Sequence, residues 1–207
     1  MVKQVRAART RHTLLVAAAE VFADQGYTLA TLPAISRRAG VSAGALHFHF
    51  PSKEALALAV ETTAAASVEQ LAERCRAGDR TLLQSLVDTT SGMLLALTDD
   101  PVVRAGFALS GDPSRKNGTE LWRWWHDRVR ALVLEARRAG ELAPAVPVDV
   151  ATTAIVAATV GFEALGAADP GWLSAERLAQ FWDLLLPRLA VSADHAGVVL
   201  PGAGRAG

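Results

Sequence analysis

An all-α fold is what this sequence predicts, and three observations predict it. Apolar residues recur at steps of three and four over several helical turns, as in Leu14, Leu15, Ala18, Val21 and Phe22. Alanine, the strongest helix former, is abundant, and strand-type runs of Val, Ile, Thr and Tyr are scarce. Clusters of Gly, Pro and Asp punctuate the periodic stretches. The chain has 207 residues, 51% of them hydrophobic, enough for a sizeable core in one or two domains.

The first helix is expected over residues 6–25, with Gly26 as the glycine that commonly follows a helix end. Thr31 is a good N-cap and Pro33 sits in a first turn, where a missing N–H costs nothing, so a short helix spans 32–39 and stops at Gly40. Ser42 caps a very short helix over 43–50, which Pro51 ends because its ring lacks a donor and clashes with the preceding turn. Ser52 caps a long, alanine-rich helix over 53–76. Further helices are expected at 80–98, 101–110, 119–139, 147–168 and 174–190, separated by Gly-, Asp- and Pro-containing breaks. The tail, 192–207, is rich in Gly and Ala without an apolar stripe and is expected to be disordered. Three regions result: a head over 1–52, a body over 53–191, and the tail.

Net charge is zero, but it is unevenly placed. Residues 1–60 hold seven bases (Lys3, Arg6, Arg9, Arg11, Arg37, Arg38 and Lys53) against three acids (Glu20, Asp24 and Glu54). A basic head on an acidic body gives a local electrostatic footprint for a polyanion. Cys75 is the single cysteine, so no intrachain disulfide forms and a reduced, cytoplasmic compartment is expected, nucleoid-associated in view of the basic head. The apolar stretch 151–168 carries Glu163 and reads as a buried or interface helix rather than a membrane span. His47 and His49 have no Cys or acid at ligand spacing, so neither a metal nor a cofactor is expected. There is no G-x-S-x-G, P-loop, dinucleotide fingerprint or H-E-x-x-H, which argues against an enzyme. A helical scaffold protein would leave the basic head unexplained.

The strongest signal is the corner Ala39-Gly40-Val41-Ser42 between two short helices. Gly40 supplies the positive φ of a sharp bend, Val41 plugs the angle, and Ser42 caps the second helix so that its N-terminal end can enter a major groove. Ala43 and Gly44 are small enough to let the backbone approach base edges, while His47 and His49 supply polar heads. Leu46, Phe48 and Phe50 are expected to bury apolar bulk. Arg6, Arg37 and Lys53, with Lys3, Arg9 and Arg38, form a phosphate clamp in this reading.

Residues 10–56 resemble the TetR family of repressors. The resemblance is carried by Ala18-Ala19-Glu20-Val21-Phe22, Gly26-Tyr27, Thr31-Leu32-Pro33-Ala34-Ile35, the corner just described, Gly44-Ala45-Leu46-His47-Phe48-His49-Phe50 and Lys53-Glu54-Ala55-Leu56. His47 stands where the commonest version has tyrosine. Val5-Arg6-Ala7, Asp100-Pro101-Val102-Val103-Arg104-Ala105-Gly106-Phe107-Ala108-Leu109 and Leu121-Trp122-Arg123-Trp124-Trp125 are similar to the γ-butyrolactone receptor branch of Streptomyces and relatives. That resemblance implies a three-helix DNA-binding head on a helical ligand-binding and dimerisation body, in a homodimer. It also implies double-stranded operator DNA as partner, a lactone, furan or butenolide signal as inducer, and control of antibiotic synthesis. Branch position implies that Trp125 packs on the signal, with Thr159 on the facing helix.

Met93, Phe107 and Phe162 complete the set of candidate ligand-binding residues. Ala64 stands where branch members offer a polar side chain. Dimerisation is expected on 147–168, through Ala154, Ala157, Ala158, Gly161 and Ala164, and on 174–190, through Leu178, Phe181, Trp182, Leu185 and Leu189. The rival within the same family is a multidrug or antibiotic sensor controlling an efflux gene.

Overall fold

The computed structural model describes residues 2–77, 80–115, 120–191 and 198–201. Among these, nine α-helices and one 3-10 turn account for the regular structure: α1 Val2–Leu29, α2 Leu32–Ala39, α3 Ala43–His49, α4 Lys53–Arg76, α5 Leu82–Asp99, α6 Pro101–Gly111, α7 Glu120–Arg138, α8 Val148–Ala168, the turn Pro170–Leu173, and α9 Ala175–Leu189. The chain divides into two compact units, one of residues 1–67 with 100–122, the other of 68–99 with 123–207.

In the first unit the apolar stripe of α1 is buried as its spacing predicts, at Leu14, Leu15, Ala18, Val21 and Phe22. It packs with Ile35 of α2, Leu46 and Phe50 around α3, Leu56 and Val60 of α4, and Val102, Ala105 and Leu109 of α6. Two details of α1 differ from expectation. The helix begins at Val2, four residues before the expected start, and Arg6 and Arg9 lie exposed on it. Gly26 (φ 72°, ψ 169°) breaks the helix without ending it, and one more turn, Tyr27 to Leu29, follows. The Lys3 side chain lies outside the described residues.

Helix α6 is distant in sequence from the N-terminal helices yet packs chiefly on α1. Asp100 caps it, accepting from the Val102 and Val103 N–H groups, and Pro101 opens its first turn. A Cβ built on Gly106 would sit 2.5 Å from the Ala64 Cβ, so α6 and α4 cross where both residues are small. Gly106→Val is therefore expected to cost about 1–3 kcal/mol of stability by overpacking. Denaturant unfolding checks this, and adding Ala64→Gly should recover part of the loss.

In the second unit α5, α8, α9 and the Pro170–Leu173 turn pack together. The Glu141 carboxylate, in the turn after α7, caps α5 by accepting from the Leu82 and Leu83 N–H groups at 3.1 and 2.8 Å. An isolated antiparallel bridge, Leu142 with Ala190, ties that turn to the end of α9. Helix α7 buries Trp125, Val129, Leu132, Val133 and Ala136 along one face. Within the expected tail, Val199 exchanges two hydrogen bonds with the buried Gln84 side chain, its carbonyl accepting at 2.9 Å and its N–H donating at 2.5 Å. The stretches 192–197 and 202–207 lie outside the described residues.

Helix α8 is long and apolar enough to cross a membrane by length and composition. One of its sides stays uncovered in the single chain: Val150, Val160 and Leu165 are exposed, with Ala154, Ala157 and Ala164 between them. Leu184 on α9 is 80% exposed. Leu178, Trp182 and Leu189, expected in a dimer face, are instead buried inside their own unit, because α9 turns that stripe onto α5 and the Pro170–Leu173 turn.

Candidate functional site

The corner between α2 and α3 forms as the sequence predicts. The Thr31 side chain accepts from the Ala34 N–H at 3.3 Å, starting α2. Gly40 adopts φ 65°, ψ 30°, the left-handed conformation that costs glycine nothing, and its N–H caps α2 on the Arg37 carbonyl. Ser36 fastens the turn from inside: its hydroxyl donates to the Val41 carbonyl at 2.6 Å, and the Val41 N–H returns to the Ser36 carbonyl at 3.1 Å. Ser42 then caps α3, accepting from the Ala45 N–H at 3.2 Å.

Helix α3 buries Leu46 and is followed by the buried Phe50, and these two fix its rotation. Ser42, Ala43, Gly44, His47 and Phe48 are left exposed. Residues 43, 44, 47 and 48 are spaced by three and four, so they share one outward face. Phe48 is 82% exposed, which corrects the expectation that it is buried; its ring meets the half-buried His49 edge-on, at 5.1 Å. A seven-residue helix is too short for periodicity to assign every aromatic, and Leu46 and Phe50 already fill its inner side.

The basic residues separate into two kinds. Arg6 and Arg37 are exposed. Arg38 is paired with Glu20 at 2.6 Å and with Asp24 at 3.6 Å. Lys53 faces backbone: its ammonium donates to the carbonyls of Tyr27, Thr28 and Ala30 at 2.8, 3.3 and 3.0 Å, and stands 4.4 Å from the centre of the Tyr27 ring. An ammonium has three N–H donors, so a phosphate contact by Lys53 would displace one of these carbonyls. Lys53→Ala is expected to remove about 1.5–3 kcal/mol of stability. It should leave unchanged the slope of log affinity for DNA against log salt. Calorimetry and a salt titration check both, and a slope lower by about one per lost contact would mark a phosphate contact instead.

Sequence reasoning missed a buried charge cluster in the same unit. The Arg115 side chain is 0% exposed and ion-paired with Glu54 and Glu61, each at 2.9 Å. The Tyr27 hydroxyl donates to Glu54 at 2.8 Å. The bond from Arg115, with a smaller contribution from Tyr27, holds the Glu54 carboxyl below its usual range against the effect of burial. Burial pushes the Glu61 carboxyl up, although Arg115 pulls it down. Burial works against the Arg115 cation, yet its bonds to Glu61 and Glu54 hold it above the usual guanidinium range. Burial, then the bond to Glu54, pushes the Tyr27 phenol up. Glu54 and Glu61 are seven residues apart on α4 and so share a face, a signal that was readable; their partner lies beyond any local pattern.

Of the residues expected to meet a small molecule, the structure brings two into direct contact. Trp125 is fully buried, and its indole N–H donates to the Thr159 hydroxyl at 3.0 Å, while that hydroxyl donates to the Val156 carbonyl at 2.8 Å. Met93 is fully buried on α5 of the same unit. Phe162 is half-buried on α8, edge-on to Trp172 at 6.4 Å and to Phe181 at 5.7 Å. A second indole–hydroxyl pair, Trp182 to Ser91 at 3.0 Å, joins α9 to α5. Burial alone pushes the Glu163 carboxyl on α8 up. Phe107 belongs to the first unit, fully buried and edge-on to Trp122 at 4.8 Å.

Comparison with known proteins supports the reading of the head and extends it to the whole chain. Residues 14–60 match the family described as bacterial regulatory proteins, tetR family. The A-factor receptor protein of Streptomyces griseus is 36% identical over 96% of this chain and 69% of its own length. A solved γ-butyrolactone receptor, described as ArpA-like, is 30% identical with a TM-score of 0.76, covering 89% of this chain and 90% of its own. The TetR family protein CprB of Streptomyces coelicolor, solved with its operator sequence, is 30% identical with a TM-score of 0.76 over 92% of this chain and 93% of its own. With this corner, this helical order and a relative aligned over 96% of this chain, the chain belongs to the TetR family of transcription regulators, in its γ-butyrolactone receptor-like branch.

Proposed function

We propose that the chain is a homodimeric operator-binding repressor, released from DNA by a small lactone, furan or butenolide signal, and that it controls genes of secondary metabolism from the cytoplasm. Its family and relatives are transcription regulators rather than enzymes. The observation that carries the DNA-binding half is the outward face of α3. Ala43 and Gly44 give it a backbone that can lie against base edges, and Ser42, His47 and the exposed Phe48 give it hydrogen-bonding and apolar contacts for bases and thymine methyls. Arg6 and Arg37 are the exposed cations nearest in kind to phosphate ligands, His49 borders the face, and Lys53 holds the turn behind it.

Two α3 helices must enter successive major grooves about 34–36 Å apart, so one chain alone reads only a half-site. The uncovered apolar side of α8 and Leu184 of α9 are the face we assign to the second copy, and small residues there permit close helix packing. The same pairing accounts for the apolar exposure of α8 without a membrane. For the signal we assign the second unit, where Met93, Trp125 and Phe162 supply apolar contacts and the Thr159 hydroxyl a polar anchor. A signal that favours a non-binding arrangement by a typical 1–3 kcal/mol would weaken DNA binding about 5–150-fold.

The test is a gel shift of the purified protein on duplexes from its own promoter region, followed by titration with synthetic γ-butyrolactones. The expected result is a two-chain complex on a preferred duplex that dissolves as one lactone is added. Equal binding to random duplex contradicts the DNA-binding half, and a complex indifferent to every lactone contradicts the ligand half.

A further inference from the structure

We propose that Arg115 is a positioning residue for DNA binding: from the turn after α6 it fixes, through Glu54 and Tyr27, the segment that seats α2 and α3. The proposal rests on reading this unit as the DNA-binding head, and adds that its grip depends on a side chain more than sixty positions beyond the recognition helix.

Every nitrogen of the guanidinium has a partner. One terminal nitrogen donates to the Leu109 carbonyl at 3.0 Å and stands 2.9 Å from Glu61, the other donates to Glu54 and Glu61 at 2.9 Å each, and Nε points to Glu54 at 3.5 Å. The turn that carries it is itself tied down. The Arg115 N–H returns to the Asp112 carbonyl at 3.1 Å, and the Ser114 N–H and hydroxyl donate to the Asp112 carboxylate at 2.8 and 2.6 Å. The Thr28 hydroxyl meets Ser114 at 3.2 Å.

From the guanidinium a continuous path leads to the corner. Glu54 accepts from the Tyr27 hydroxyl at 2.8 Å, and the Tyr27 ring lies under both Arg115 (5.3 Å) and Lys53 (4.4 Å). Lys53 then holds the carbonyls of Tyr27, Thr28 and Ala30, and Ala30 directly precedes the N-cap of α2. Every step is a charge-assisted bond or a cation over a ring, the kinds with the most defined geometry. Arg115 is fully buried, so it cannot neutralise a phosphate; its effect on DNA must pass through position. Because α6 brings Arg115 into the cluster, displacement of α6 would withdraw the cation from both carboxylates at once.

The experiment compares operator binding and thermal melting of the full-length protein with Arg115→Met and with Arg115→Met plus Glu61→Gln. The single variant leaves the Glu61 carboxylate, only 4% exposed, without its counter-charge, so it should melt earlier. The double variant removes that orphan and should regain most of the melting temperature. Its operator affinity should still be about tenfold below that of the wild type, because Glu54 and Tyr27 lack their anchor. The salt slope should be that of the wild type, since no phosphate contact has gone.

Recovery of full operator affinity along with stability would overturn the proposal. If the double variant does not fold, Tyr27→Phe removes only the hydroxyl in the path; it should lower affinity at an unchanged salt slope, and wild-type affinity in that variant would overturn the proposal equally. Tyr27 is the single tyrosine of the sequence, so 3-fluorotyrosine labelling gives one resonance that should shift when Arg115 is replaced. A wild-type protein with no preferred duplex sinks the DNA-binding reading itself, whereas preference in the wild type with variants unaffected sinks only the role of Arg115.

Discussion

Ala43→Glu is expected to reduce operator affinity by roughly two to three orders of magnitude while leaving the melting temperature unchanged or slightly raised. The two effects have opposite signs for one reason. Ala43 is the first residue of α3, exposed, with its helix already capped by Ser42. A carboxylate in the first turn of a helix complements the partial positive charge of that end, so the free protein tolerates it. In the complex the same carboxylate would face the phosphates and base acceptors of the groove, where like charges brought together cost several kcal/mol. Gel-shift titration and differential scanning calorimetry on the same sample separate the outcomes. Unchanged affinity would remove α3 from the interface, and an equal loss of folding would make the effect uninformative about DNA.

Trp125→Ala is expected to destabilise the protein by about 3–5 kcal/mol, the usual cost of deleting a large aromatic from a packed interior. The indole is fully buried and its N–H satisfies the Thr159 hydroxyl, so the truncation removes both bulk and a donor. Denaturant unfolding measures the loss. A ligand role is read more cleanly from Trp125→Phe, which keeps an aromatic ring and leaves Thr159 bonded to the Val156 carbonyl. That variant should bind operator as the wild type does and need a higher dose of lactone for release. Release at the wild-type dose would make Trp125 a core residue alone.

Much of the fold was legible locally. Thr31, Gly40, Ser42 and Pro51 mark helix ends by rules that need only a residue and its neighbours, and the structure places the ends there. The stripe on α1 has five matching positions over nine residues, enough to define the buried face. What escaped depends on pairing between distant segments. Lys53 reads as a phosphate ligand in sequence, and the carbonyls after the Gly26 break that it also holds are not visible there. Arg115 sits in a polar loop, and nothing near it in sequence announces that Glu54 and Glu61 await a cation. Position in a resemblance did bring Trp125 and Thr159 to facing helices; that they bond to each other is a matter of side-chain geometry. Leu178, Trp182 and Leu189 share the apolar periodicity of a dimer face, and periodicity alone does not tell an inward stripe from an outward one.

Methylation protection at guanine N7 on a preferred duplex tests the central claim most directly, because N7 lies in the major groove and is read by whatever occupies it. A pair of α3 helices presented by two copies of the chain should protect guanines in two successive major grooves, with centres about one helical turn apart, and Ala43→Glu should abolish both footprints together. No protection at guanine N7 on a duplex the protein prefers, or a single isolated patch of protection, would contradict the assignment of α3 as the reading helix of a symmetric pair.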